Sequence, residues 1–386
     1  MSISTIIRNF ISSEKTGGFT IIICTFISMM LANSSFGNQY VNCLNTIIFG
    51  SPLIHWINDG LMSIFFLQIG LELKREFVFG ELSNTKVALL PIISALGGVI
   101  IPVIIFLLFN RNSDEANAAG IPMATDIAFA LGILSLLGNK IPASLKIFLT
   151  TLAVIDDLLA IVVIAFFYSN SISILNLTIT ISLLLILYIF NRFKINYLTL
   201  YLFGGIAMWY FMLHSGIHAT LTGVLLAFVT PIGKGDNSSS SFKLQLALHK
   251  PVALMIVPLF VLANTGIILN SNWQNGIFSN LSMGIILGLI IGKPLGIYLF
   301  SRISVITGIC KLPKNVTWKH ILGVGILAGI GFTMSIFITL LAFKNQNQID
   351  IAKISIFIAS AIAGITGFAF LSMMKNKNEK FKVKIQ

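Results

Sequence analysis

The sequence predicts an all-α polytopic membrane protein with twelve transmembrane helices, and three observations carry that prediction. Hydrophobic residues make up 56% of the 386 residues and charged residues only 10%, with a mean hydropathy of +0.94. Soluble domains carry about 25% charged residues, so this chain cannot cover itself with a polar surface. Apolar stretches of about 20 residues recur along it, long enough to cross a ~30 Å hydrocarbon layer as helices, and no alternation of polar and apolar residues suggests a barrel. Finally, the basic residues gather in alternate loops, as they do on the cytoplasmic side of a membrane.

The spans read as 14–32, 55–74, 87–109, 118–137, 145–168, 172–191, 197–213, 216–231, 250–269, 281–301, 320–342 and 351–373. With the N-terminus inside, 21 of the 25 Lys and Arg residues fall in inside segments, including five lysines after residue 373. Three (Arg111, Lys344 and Lys353) fall outside, and Lys293 lies within a span. Both termini are therefore expected in the cytoplasm. The net charge of +12 is a topology signal whose natural neighbours are anionic lipid headgroups, not nucleic acid. The first apolar run, followed by "LANSSFG", also resembles a cleavable leader, but removing it would put the next loop on the wrong side. Cys24, Cys43 and Cys310 are too scattered for a metal site or a disulfide framework. The polar stretch 233–243, "GKGDNSSSSFK", reads as a flexible connector between two halves.

Against this background, "AVIDDLLAIVV" at 153–163 stands out, with Asp156 and Asp157 adjacent in the middle of span five. An ionisable residue at mid-bilayer costs roughly 2.5–3.5 kcal/mol on insertion scales and usually marks an ion path or proton relay. A buried ion pair that merely ties helices together is the alternative. Successive helical positions differ by about 100°, so the two carboxylates face different neighbours.

Three other elements share this depth. In "GIPMATDIAFALG", Thr125 and Asp126 follow Pro122, which lacks an amide donor. In "GLIIGKPLGIYLF", Lys293 sits in mid-span. In "GVGILAGIGFTMSIF", Gly323, Gly325, Gly329 and Gly331 either interrupt span eleven or allow close helix packing. Spans three to five begin inside and spans ten to twelve begin outside, and the middle member of each triplet is the interrupted one. Paired interruptions in oppositely oriented units point to inverted repeats with a site at the midplane. Asp126 is placed to neutralise helix N-termini there, and Lys293 helix C-termini. One integral membrane domain, 1–386, would then hold a core bundle of 87–168 and 281–373, with 14–74 and 172–269 as panel helices.

The motifs "ATDIAFALG", "LKIFL…IDDL", "SGIHATLTG", "IGKPLGI" and "GILAGIGFTMSIF", in that order, resemble the NhaA-type sodium/proton antiporters from about residue 10 to 370. The resemblance implies crossing, partly extended spans four and eleven. It implies electrogenic exchange of cytoplasmic Na⁺ or Li⁺ for external H⁺ across a bacterial inner membrane, with no cofactor. Asp157 would be the main cation ligand, and Asp156 would pair with Lys293 in the acidic, inactive state. Asp126 and Thr125 would belong to the crossing. Glu72 and Arg75 in "GLELKRE" would lie at the cytoplasmic mouth, or else simply snorkel to the interface. His218 would serve pH response, or only packing.

Two departures from the family pattern are visible. "KLQLALHK" carries Gln245 and Leu246 where a Glu-His pair is usual, leaving His249 alone. The loop after span one lacks room for a polar dimerising β-hairpin, which leaves a homodimer open. No G-x-x-x-x-G-K-[ST] motif is present, so an ion gradient must drive transport. A membrane-embedded aspartyl protease, a prenyltransferase and a cation channel are the competing classes. The protease would need a Gly-x-Gly-Asp setting, the prenyltransferase a third acid after "IDDLLA", and none of the three accounts for Lys293.

Overall fold

The computed structural model describes residues 14–83, 85–168, 172–233, 239–267 and 276–374. The lysines after 373 and most of the polar connector lie outside the described residues. Among the described residues, seven helices are long and apolar enough to cross a membrane, or up to nine if each of two bent pairs is one span. The only strands described are two residues long and form one hairpin. The chain divides into two compact units. One comprises Met1–Phe19, Thr85–Ala160 and Asn270–Gln386, and the other Thr20–Asn84 and Ile161–Leu269.

The first unit is built around a close pair of helices, Thr85–Asn110 and Lys293–Ile306. Gly284, Gly288, Gly292 and Gly296 recur every four residues along the second of these and the turns leading into it. A Cβ on Gly296 would fall into the Gly97 carbonyl, and one on Gly292 would come within 2.9 Å of Pro102 Cα. Without a hydrophobic driving force in lipid, helices associate through packing of this kind, where small residues let backbones approach. A dry hydroxyl pair, Ser94 with Ser301 at 2.6 Å, ties the same two helices. One turn of π-helix, Gly288–Gly292, immediately precedes Lys293. Such single π turns appear mostly inside α-helices and often at functional sites.

In the second unit, helix Met62–Val78 packs against Leu221–Val229. Leu67, Leu71, Tyr201, Met208, Leu226 and Leu244 form the core beside them. The Lys74 ammonium donates to the carbonyls of Phe228 at 2.7 Å and Thr230 at 2.5 Å. It thus satisfies acceptors that the end of a helix leaves without partners.

One local reading of the sequence needs correction. Helix Ser240–Pro251 begins within the stretch read as connector, because the Ser239 hydroxyl caps it by accepting from the Phe242 amide at 3.2 Å. The short loop after the first apolar helix folds a minimal hairpin, Ile47–Ile48 paired with Ser51–Pro52. Its two-residue turn places Phe49 at φ 49° and Gly50 at φ 83°. Two positive φ values suit the tight turn that joins twisted antiparallel strands. Phe is an unusual residue at the first of them, which is why the sequence carries no hairpin signal.

The glycine row makes a paired prediction. Gly296→Ala forces the helix pair apart and, at roughly 1–3 kcal/mol for overpacking, lowers the thermal midpoint of the detergent-solubilised protein. Gly132→Ala, where a Cβ would meet only Gly18 Cα at 3.9 Å, leaves the midpoint unchanged or higher. Equal midpoints for the two variants would refute the packing account.

Candidate functional site

Two stretches of the first unit lack continuous helix at the same place. From Asp114 the chain forms two short 3₁₀ turns, the second being Ile121–Met123 with Pro122 in it. It then extends through Ala124 and Asp126 before helix Ile127–Leu136 begins. Pro122 removes a donor and disfavours regular helix around it. The second stretch is Trp318–Ala328 and Phe332–Ala342, two helices bent by 46° at a break that contains Gly329 and Gly331. The two breaks meet, because the Asp126 amide donates to the Ile330 carbonyl at 2.7 Å.

Backbone groups freed from helices in an apolar interior must find partners within the protein. Asp126 supplies several of them. Its Oδ1 accepts from the Phe129 amide at 3.0 Å, capping helix Ile127–Leu136. Its Oδ2 accepts from the Thr333 amide at 3.1 Å and the Thr333 hydroxyl at 2.6 Å, at the start of helix Phe332–Ala342. One buried carboxylate therefore serves two helix N-termini, where partial positive charge favours an anion. The opposite ends are served by donors. The Lys293 ammonium donates to the Met123 carbonyl and the Ser335 hydroxyl to the Ile121 carbonyl at 2.7 Å, while the Thr125 hydroxyl lies 3.1 Å from the Ala328 carbonyl.

Asp156 and Asp157 come from helix Ala143–Phe167, and both are buried. Asp156 Oδ2 lies 2.9 Å from Lys293 Nζ and 2.7 Å from the Thr125 hydroxyl. Both donors converge on this one oxygen, and Oδ1 of Asp156 is buried without a hydrogen-bond donor. Thr125 has a single hydroxyl proton and two acceptors within reach, Asp156 Oδ2 and the Ala328 carbonyl. The charged oxygen is the nearer and the stronger acceptor. Asp157 is the next residue on the same helix. The structure thus brings Thr125, Asp126, Asp156, Asp157 and Lys293 together in one unit.

The remaining residues singled out in the sequence lie in the other unit. Glu72 is half-buried and Arg75 exposed, with the guanidinium 4.8 Å from the centre of the Phe242 ring. His218 is half-buried and its Nε2 lies 2.7 Å from the Tyr168 carbonyl oxygen. His249 is exposed in the last turn of helix Ser240–Pro251. Thr333 was not anticipated. Its signal was present, a threonine two residues beyond the glycine break, where helix starts favour Ser and Thr. Among the described residues, no group of three or more His, Cys, Asp or Glu is arranged to hold a metal ion.

Comparison with known proteins adds an independent line. A family model described as Na⁺/H⁺ antiporter 1 matches residues 8–371. The chain is 57% identical over 379 residues to Na⁺/H⁺ antiporter NhaA 1 of Flavobacterium johnsoniae, covering 98% of this chain and 100% of that protein. It is 50% identical over 376 residues to the NhaA antiporter of Dechloromonas aromatica, covering 96% and 97%. To that of Vibrio alginolyticus it is 45% identical over 370 residues, covering 95% and 97%.

The double role of Asp126 is open to measurement. Asp126→Ala uncaps two helices at once, and at roughly 0.5–2 kcal/mol per cap the loss is about twice that of an ordinary cap. Thr333→Val removes only a hydroxyl donor and costs less. Thermal unfolding in detergent reads both, and an Asp126→Ala protein as stable as the parent would refute the shared cap.

Proposed function

Because the chain belongs to the Na⁺/H⁺ antiporter 1 family, we propose that it exchanges Na⁺ for H⁺ across a membrane and is a transporter rather than an enzyme. The ions are its cargo. The observation that carries this reading is the buried Asp156–Lys293 pair beside Asp157, held where two helices are broken. A hard cation seeks oxygen ligands, and protons seek the same carboxylate oxygens. A centre that holds either, but not both, and meets one side at a time exchanges them.

In this reading Asp157 is the main ligand for Na⁺, with Li⁺ as an alternative cargo. Asp156 exchanges its partner, being bound to Lys293 when the site is protonated and inactive. Asp126 and Thr125 keep the broken helices in register. Six of the twelve spans form two inverted repeats, spans three to five and ten to twelve, with four and eleven crossing. The basic loops and both termini face the cytoplasm of a bacterium, in its inner membrane, beside anionic headgroups. Glu72, Arg75, His218 and His249 bias the cycle with pH, and a second copy of the chain is a possible partner. Two protons enter for each Na⁺ that leaves, so transport moves net charge. Neither a membrane-embedded aspartate enzyme nor a cation channel has an observation in its favour.

Everted vesicles with an acid-quenched dye test the proposal directly. Na⁺ added to vesicles carrying the parent protein restores fluorescence. Asp157→Asn, whose amide neither releases a proton nor supplies a full charge, abolishes the response at every pH while the protein remains in the membrane. Continued exchange by this variant would move the cation site elsewhere. At fixed ion gradients in proteoliposomes, an imposed potential changes the rate, and indifference to voltage would indicate one proton per Na⁺.

A further inference from the structure

The segment after the first apolar helix is uncharged: no Asp, Glu, Lys, Arg or His occurs from Thr16 to Ile54. A connecting loop bathed in water usually carries charge, and this one carries apolar side chains instead. The helix Thr16–Ala32 turns by 114° into a short helix, Gly37–Leu44. With the first helix taken as span one of the sequence reading, a second helix at this angle lies roughly parallel to the bilayer surface. The Tyr40 hydroxyl holds its inner side, pairing with the Ser28 hydroxyl at 2.9 Å and donating to the Leu262 carbonyl. The hairpin follows directly, and the Trp56 indole pins it by donating to the Ile48 carbonyl at 2.8 Å.

The outer side of this segment exposes Phe36, Val41, Ile47 and Ile48, with Phe49 94% exposed at the tip. Phe49 has a positive φ, a strained conformation for a bulky side chain. Its ring meets that of Trp56 at a centroid distance of 6.4 Å, the two planes nearly perpendicular. Trp56 itself lies 5.9 Å from the Trp209 ring. Trp side chains gather at the level of the lipid headgroups.

We infer that Gly37–Leu44 and the hairpin form an interfacial foot, with Phe49 and Ile47 immersed at the headgroup–acyl boundary of the membrane. The segment lies between the sequence-predicted spans 14–32 and 55–74, which would tether it at the bilayer surface. Its neutrality fits immersion by apolar burial rather than attraction to anionic lipid. Strands of two residues offer too short an edge for backbone pairing with a second chain, which favours lipid over another copy of the protein. The inference rests on the reading that the chain spans a membrane.

Cys43 is exposed, whereas Cys24 and Cys310 are buried, so the native chain carries its own labelling site. A spin label on Cys43, and one on Phe49→Cys in a Cys43→Ser background, is examined in the full-length protein reconstituted into phosphatidylcholine vesicles. Immersion predicts that the label at 49 collides more often with oxygen than with a water-soluble nickel chelate, and that the label at 43 lies at a shallower depth. Added anionic lipid leaves both unchanged. Collision mainly with nickel at position 49 would overturn the inference, and so would dipolar broadening between copies, which would put a second chain on this face. Ile47→Cys provides the same readout if Phe49→Cys does not fold. Na⁺-driven proton exchange, measured in the same vesicles, separates failure of the foot from failure of the antiporter reading.

Discussion

The site depends on one constraint: extended backbone in an apolar interior must have every amide and carbonyl answered from within the protein. Two stretches of the first unit break their helices, around Ala124–Asp126 and between Ala328 and Phe332, and each break supplies the other with partners. The Asp126 amide reaches the Ile330 carbonyl. The side chains of Asp126 and Lys293 take ends that remain. Once those residues are placed, Asp156 has little freedom, since Lys293 and Thr125 both meet its Oδ2. The ionic cluster is therefore also what allows the backbone to be irregular there.

Much of this cluster was legible in the sequence, and the reason is physical. Ionisable groups are expensive in hydrocarbon, so the few found inside apolar runs mark themselves: Asp126, Asp156, Asp157 and Lys293. Their partners were not legible where the partner is backbone. The carbonyls of Met123, Ile330 and Ala328 belong to residues with no polar side chain, and nothing in their identity announces an unfilled acceptor. The π turn before Lys293 was hidden for a similar reason, because Gly288–Gly292 reads equally well as small residues for packing. The hairpin escaped because Phe-Gly stands where Asn-Gly would be expected.

Span counting shows the limit of hydropathy. The sequence suggests twelve apolar runs, whereas length and composition of the described helices admit seven to nine. Leu198–Leu213 has 16 residues and Leu221–Val229 only nine. An apolar run on paper becomes a shorter helix wherever glycine, proline or a cap ends it early, and such pieces pass no test based on length.

The shared cap at Asp126 has a mechanical side. Its two oxygens grip the starts of different helices, Ile127–Leu136 through Phe129 and Phe332–Ala342 through Thr333. A shift of either start breaks a bond to one of those oxygens. The two half-helices are thus yoked, so any rearrangement that moves one carries the other with it or strands a charged oxygen. Such a yoke resists local wobble beside Asp156 and Lys293 and concentrates motion in joint rigid displacements of the two helices.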